Sequence, residues 1–287
     1  MSTSIFAQFP PEIIRDIFDV AAKSNRQSAL SLSLVSSWAN RAVEPHLYHT
    51  VVLNSARTLT AFLAAISCKP ATFPATRVHN LAIFALGPIQ AIHTVIAMCS
   101  GVKSLACGFS LPSYTHLGGS AAVQSLDMTE QHLLGLSCRE GVDTSAISPS
   151  VTRLRILLTY QTSPASIARL AELSLLTHLA VVYRFREHVL DMGHIHKILL
   201  PLLQSDKLHL LLVQVAGVGN QTHYEEVGKW NAWATMAQGD ERIVAEKAPQ
   251  SLVRQWEVAS TGGLGVWDAA EKEVEKRCTF RACNLVS

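Results

Sequence analysis

The chain has 287 residues, 48% of them apolar and 16% charged, and its 24 Lys and Arg against 22 Asp and Glu give a formal net charge of +2. So high an apolar share excludes a largely disordered chain, and a near balance of scattered charge argues against a nucleic-acid binder, which carries a clustered basic stripe. The length suits one or two domains.

The first predicted element is a helix opening at Phe9-Pro10-Pro11-Glu12. Pro loses no N–H bond in a first helical turn, and an acidic residue there suits the helix dipole. Ile13, Ile14, Ile17, Phe18 and Ala21 follow at helical spacing. After the polar turn Lys23–Gln27 a second helix is predicted, with Leu30, Leu34, Val35, Trp38 and Ala42 on one face. Glu44-Pro45 is expected to close it, because the residue before Pro is biased away from helix.

In these residues the chain resembles the F-box family, whose pattern is Leu-Pro-x-Glu, then Ile-Phe, then Val-Ser-x-x-Trp. Here Phe9-Pro10-Pro11-Glu12, Ile17-Phe18 and Val35-Ser36-Ser37-Trp38 stand in that order. Phe9 replaces the usual Leu, and the turn after Phe18 is small and polar. The resemblance covers residues 5–50. It implies a bundle of short helices that docks on a Skp1-like adaptor of a cullin ubiquitin ligase, with Pro10, Ile13, Ile17, Leu34, Val35 and Trp38 as candidate partner-binding residues. The whole chain looks like the F-box-like proteins abundant in mushroom-forming fungi.

Beyond Pro45, Leu47–Leu53 is β-branched and aromatic and reads as a strand, and Ser55 as the cap of a helix carrying Leu59, Phe62, Leu63 and Ile66. A pattern then recurs: apolar, two others, Leu, one other, apolar. It stands at Val78–Ile83, Val102–Cys107, Val123–Met128, Val151–Ile156, Leu176–Val181 and, without its first apolar residue, Lys207–Leu212. Subtracting the first numbers gives spacings of 24, 21, 28, 25 and 31 residues, around the period of leucine-rich repeats. Helical faces lie between the copies: Ile89 to Cys99, Ile167 to Leu173, and Ile195 to Leu203, the last with Pro201 expected to kink or shorten it. Strands alternating with helices imply parallel pairing through crossovers. The expected class is therefore α/β: an N-terminal F-box-like helical bundle (residues 5–50), a parallel, leucine-rich-repeat-like region (51–248), and C-terminal capping helices with a tail (249–287). An ordinary single-sheet α/β domain is the alternative for the middle region. Within residues 108–149, Gln131–Cys138 reads equally as strand or helix.

Towards the C-terminus, Val227, Trp230 and Ala234, then Leu252, Val253 and Trp256, then Val266, Trp267, Ala270 and Val274 predict three helices, their Trp residues packing one end of the sheet. From Cys278 onward no pattern is visible and a loose tail is expected.

Motifs for chemistry are sparse. There is no Gly-x-Ser-x-Gly, His-Glu-x-x-His or Gly-Lys-Ser/Thr phosphate loop. Gly217-Val218-Gly219 is placed as a dinucleotide turn would be, but Thr222 stands where the third glycine is needed. His188, His194 and His196, with Asp191, lie close in sequence, the last two histidines on one side of an extended segment, yet lack a further fixed ligand. No catalytic residue, cofactor or metal is expected. The six cysteines form no Cys-x-x-Cys pair and sit largely in apolar runs, as in a reduced intracellular protein of cytoplasm or nucleus. The most apolar stretch, Ile198–Val218, is broken at Gln204–Lys207, so no membrane span of roughly 20 residues is expected, and Met1–Ser4 does not open a signal peptide. The expected function is an F-box-like adaptor that recruits an unknown target protein, with no nucleic-acid or membrane partner. The alternatives are a small-ligand-binding α/β enzyme with a helical appendage and a scaffold outside any ligase.

Overall fold

A computed structural model describes residues 9–185, 191–217, 220–236 and 239–286. Three short helices lead the chain: α1 (Pro11–Ser24), α2 (Arg26–Ser33) and α3 (Ser37–His49). The second helix expected from the sequence is two helices. The Ser36 hydroxyl accepts the Ala39 N–H and starts α3 afresh, which leaves Leu34 and Val35 on the turn between them. Nor does Pro45 end the unit. It lies inside α3, which runs on to His49, because Leu47 packs into the bundle and Tyr48 lies edge-on to Phe73 at 5.1 Å. Tertiary packing outweighs the local cost of the proline, and the strand expected from Leu47 begins only at Thr50.

Eight strands follow: β1 (Thr50–Leu53), β2 (Asn80–Ile83), β3 (Ser104–Cys107), β4 (Glu130–Leu133), β5 (Arg153–Leu158), β6 (His178–Arg184), β7 (Leu210–Ala216) and β8 (Ile243–Lys247). They form one parallel sheet in chain order. Crossovers run through α4 (Ala56–Ser67) and α5 (Phe73–Arg77), α6 (Ile89–Met98), α7 (Leu111–His116) and α8 (Gly119–Gln124), a pair of 3-10 turns, α9 (Pro164–Ala168), α10 (Met192–Leu203) and α11 (Asn220–Ala234). Two helices close the chain, α12 (Leu252–Ser260) and α13 (Asp268–Val286). The α/β expectation, a parallel sheet with helices at both ends of the chain, holds.

The repeat is visible in the register. Val51, Leu81, Leu105, Gln131, Leu154, Leu179, Leu211 and Ile243 stand side by side across the sheet. Two expected copies are misplaced. Val123 belongs to α8, and the true third copy, on the fourth strand, is Met128–Leu133, with Gln131 where leucine is the rule. Gln131 is buried there because its amide is satisfied: Nε2 donates to Ala146 O (2.7 Å) and Oε1 accepts Ser148 N (3.2 Å). In the last expected copy the register slips by one residue, so Leu211, not Leu210, is Leu179's partner, and Leu210 points to the opposite face.

Ladder residues and their i+2 neighbours meet the crossover helices in one continuous core, including Leu59 and Ile66 of α4, Ile92 and Ile96 of α6, and Ile195 and Leu199 of α10. Ser55 caps α4 in a reciprocal box with Thr58. Trp230 of α11 belongs to this layer; its indole N–H donates to Tyr183 OH (2.9 Å), which donates to the buried Glu226 carboxylate (3.2 Å). Cys99, Cys107 and Cys138 are buried in the same core as small apolar side chains. Pro201 lies within α10, and the helix runs through it.

The other face of the sheet is covered by the C-terminal helices. Trp256 packs on Ala82 and Ala106, while Val266, Trp267 and Ala270 pack on Ala180, Leu210, Leu212 and Val244. These two Trp residues thus lie across the face of the sheet rather than at its end. The segment after Cys278 continues α13 instead of forming a tail.

Both sheet edges are closed by side chains. Arg26 of α2 donates to Thr50 O (3.1 Å) at the β1 edge. At the β8 edge the Asn231 amide does what another strand would, donating to Ala245 O (2.8 Å) and accepting Ala245 N (3.0 Å), and Arg277 donates to Ile243 O (2.6 Å).

Candidate docking surface

The three N-terminal helices are held by a small core of Ala22, Ala29 and Val43, with Phe18, Leu32 and Leu47 packed on it. Small residues on the inner faces let the helices approach closely. Several larger apolar residues stand outside. On α1 the apolar set read as one face divides in two: Phe18 turns inward with Ala22, while Ile13, Ile17 and Val20 form an exposed stripe at i, i+4 and i+7. Pro10 is exposed just ahead of it. The turn between α2 and α3 presents Leu34 and Val35, 87% and 67% exposed. Trp38, in the first turn of α3, is exposed on one side and lies 5.6 Å from the Phe18 ring on the other. All six candidate residues therefore reach solvent. Trp38 alone among them also braces the bundle aromatically.

Charge frames this surface. Asp19 accepts from Lys23 (2.5 Å) and pairs with His46 (2.5 Å), and these two partners hold its carboxyl below the usual range. Glu44 pairs with Lys69 (2.5 Å), tying α3 to the segment after α4.

A second constellation lies on the sheet face under α12 and α13, and nothing in the sequence motifs announced it. Glu130 accepts from Trp267 Nε1 (2.6 Å) and Ser104 Oγ (3.1 Å). Its Oε1 also faces His132 Nε2 at 3.0 Å. Burial raises the Glu130 carboxyl, but the charge of His132 and these donors outweigh it and bring it down to about 2. Beside this pair, Arg153 donates to Glu271 of α13 (2.8 Å). Arg155, fully buried, donates to Gln255 of α12 (2.8 Å) and to Gln214 of β7, which in turn donates to Glu246 (2.5 Å). Burial lowers Arg155 to about 10. Burial likewise lowers His178 to about 4, helped by Arg153, even though Nε2 lies 3.3 Å from Glu271 Oε1; that oxygen already accepts from Arg153. The signal available in the sequence was polarity within strands: Arg155 and Gln214 interrupt largely apolar runs, and β4 holds Glu130, Gln131 and His132 before its single apolar residue, Leu133.

This row is not a hydrolytic triad, since Ser104 donates to the carboxylate of Glu130 and not to a histidine. Among the described residues, the candidate metal residues do not form a ligand set. His194 and His196 lie in α10 rather than in an extended segment, so a spacing of two turns them apart. Asp191 caps that helix, accepting His194 N (2.8 Å), and His196 stacks edge-on to Trp233 at 4.6 Å. His188 lies outside the described residues, as do Val218 and Gly219 of the glycine turn and the side chain of Thr222. Among the described residues no three His, Cys, Asp or Glu could jointly hold a metal ion, and no helix is long and apolar enough to cross a membrane. No protein-family model matches the chain, and no curated protein matches it significantly.

Proposed function

We propose that this chain is an F-box-like adaptor whose N-terminal helices dock on a Skp1-like subunit of a cullin ubiquitin ligase, while the repeat-like sheet carries a surface for a target protein. One observation carries the reading: a bundle of three short helices keeps alanines inside and puts Ile13, Ile17, Leu34 and Val35 outside, in the stretch that resembles an F-box. Exposed apolar side chains grouped on one small unit mark association surfaces, and a few anchors of this kind dominate binding energy. The chain's role is tethering, which raises the concentration of a target near the ligase. The chemistry belongs to its partners, and the chain itself uses no cofactor.

Because α12 and α13 cover one face of the sheet and the crossovers the other, the target surface in this reading is the open rim. There, at the C-terminal ends of β5 to β8, a largely apolar cleft of about 490 Å³ is lined by Tyr160, Arg184, Pro249 and Leu252.

The test is binding of the full chain to a purified Skp1-like protein, with and without Ile17→Asp and Leu34→Asp together. Expected is a loss of about 100-fold or more, since two anchors each contribute on the order of 2 kcal/mol, with an unchanged melting temperature. Equal binding by the double variant, or none by the parent chain, overturns the proposal. Assembly with the adaptor but no target ubiquitination would favour a scaffold outside the ligase cycle.

A further inference from the structure

The polar row under the C-terminal helices plays no part in the proposed docking, and it borders a cleft. About 300 Å³ of space lies between the face of β4 and β5 and the segment joining α12 to α13. His132 forms part of its wall with a side chain only 1% exposed; Nε2 faces the Glu130 carboxylate at 3.0 Å, and Nδ1 makes no hydrogen bond within the protein. Its neighbour across the strand pair is Arg155, equally buried, with Nε and Nη1 also unpartnered. Buried polar atoms in folded proteins nearly always have partners. Of these two side chains only His132 belongs to the wall of the cleft, and its Nδ1 is the buried polar atom there that the protein leaves without a partner.

The other walls define the ligand. Arg153, 42% exposed, brings a guanidinium, with one N–H group engaged by Glu271. Glu130 and Asp268 bring two carboxylates; that of Asp268 already holds the Gly265 N–H. Trp256 and Trp267 line the same space, each with its indole N–H committed elsewhere, to Ser104 and Glu130. Groups of both signs therefore converge on one small space with aromatic walls. A plain anion would face the two carboxylates unmatched, and a plain amine would face Arg153 and His132. A ligand with both charges meets both sets.

We propose that this cleft binds a small zwitterion of the free amino-acid class, with its carboxylate received by His132 and Arg153, its ammonium by Glu130 and Asp268, and its side chain lying against Trp256 and Trp267. A cleft of this size with a few convergent polar groups is a usual form for a small-molecule site. The proposal is independent of adaptor docking.

The experiment uses the full chain. A thermal-shift series with the twenty amino acids at millimolar concentration identifies the binder, and calorimetry then compares it with the amine and the acid that share its side chain, for example L-phenylalanine against phenethylamine and hydrocinnamate. Expected is at least one amino acid that raises the melting temperature and binds about tenfold or more tightly than either matched compound, because each of these leaves a desolvated charge unpaired. Arg153→Gln, on a partly exposed side chain, should weaken that binding about tenfold while the circular dichroism and the affinity for a Skp1-like protein stay as they were. His132→Leu should abolish it, and the Arg153 variant decides the matter where that change impairs folding. Absence of any shift across the series, equal binding of the matched amine or acid, or full affinity in Arg153→Gln overturns the proposal.

Discussion

The N-terminal bundle and the sheet use apolar residues in opposite ways. In the sheet the large side chains are inside: Leu81, Leu105, Leu154 and Leu179 are at most 1% exposed, and the small Ala82, Ala106 and Ala180 make room for the helices that cross the second face. In the bundle Ala22, Ala29 and Val43 are inside, with Phe18, Leu32 and Leu47 against them, while Ile13, Ile17, Leu34 and Val35 are out. One region commits its apolar surface to its own folding, and the other leaves part of it exposed. Composition cannot tell these uses apart, and packing can.

This contrast breaks most visibly at Trp267. Trp267→Ala should cost about 3–5 kcal/mol, because it empties the cluster with Leu210, Leu212 and Val244 and takes a donor from Glu130. Denaturant unfolding measures it, and a cost below 1 kcal/mol would mean that α12 and α13 are an appendage. Leu154→Ala, inside the opposite core, should cost about 2–5 kcal/mol by the same measurement.

Acid should act on the sheet next. The Glu130 carboxyl is held at about 2, below its usual 4.5, so its contribution is complete above pH 4.5 and disappears as pH falls towards 2. That contribution is on the order of 3 kcal/mol. His178, lowered to about 4 from 6.5, works in the same direction: the unfolded chain binds its proton first, so stability falls between pH 6.5 and 4. Melting temperatures across this range should decline, and Glu130→Gln should flatten the part below 4.5.

Effects in the bundle are smaller. Ser36→Ala removes the cap of α3 and should cost about 1 kcal/mol, while weakening adaptor binding, since this cap sets the turn that displays Leu34 and Val35. Leu34→Ser should leave stability within about 0.5 kcal/mol, the smallest change of all. A large loss of stability there would place Leu34 in the fold and not on a free surface.

Much of the sheet was legible because its signal is local. Four of the ladder leucines follow one spacing, and the Ser55 cap precedes its helix in plain view. Gln131 hid the fourth strand because its burial depends on Ala146 O and Ser148 N, groups in a later turn. Leu210 and Leu211 were indistinguishable in a run of three leucines, so register could be fixed only by the neighbouring strands. Pro45 inside α3 is a tertiary outcome. The docking candidates could be named but not sorted, because inward and outward faces depend on how three helices meet. The row from Glu130 to Gln214 escaped notice entirely, since its partners come from α12 and α13, about a hundred residues away in sequence for Arg155 and Gln255.

Asn231 has a consequence for how such a chain can vary. A sheet that ends on a side-chain amide has a set number of rungs. A duplicated strand–helix segment inserted between β2 and β7 would meet the same kind of neighbour on either side, and stacked units couple chiefly to their neighbours. One appended after β8 would have to dislodge both Asn231 and Arg277. Gene copies of different length should therefore gain and lose their segments internally, with the terminal rung and its two side-chain clasps inherited together.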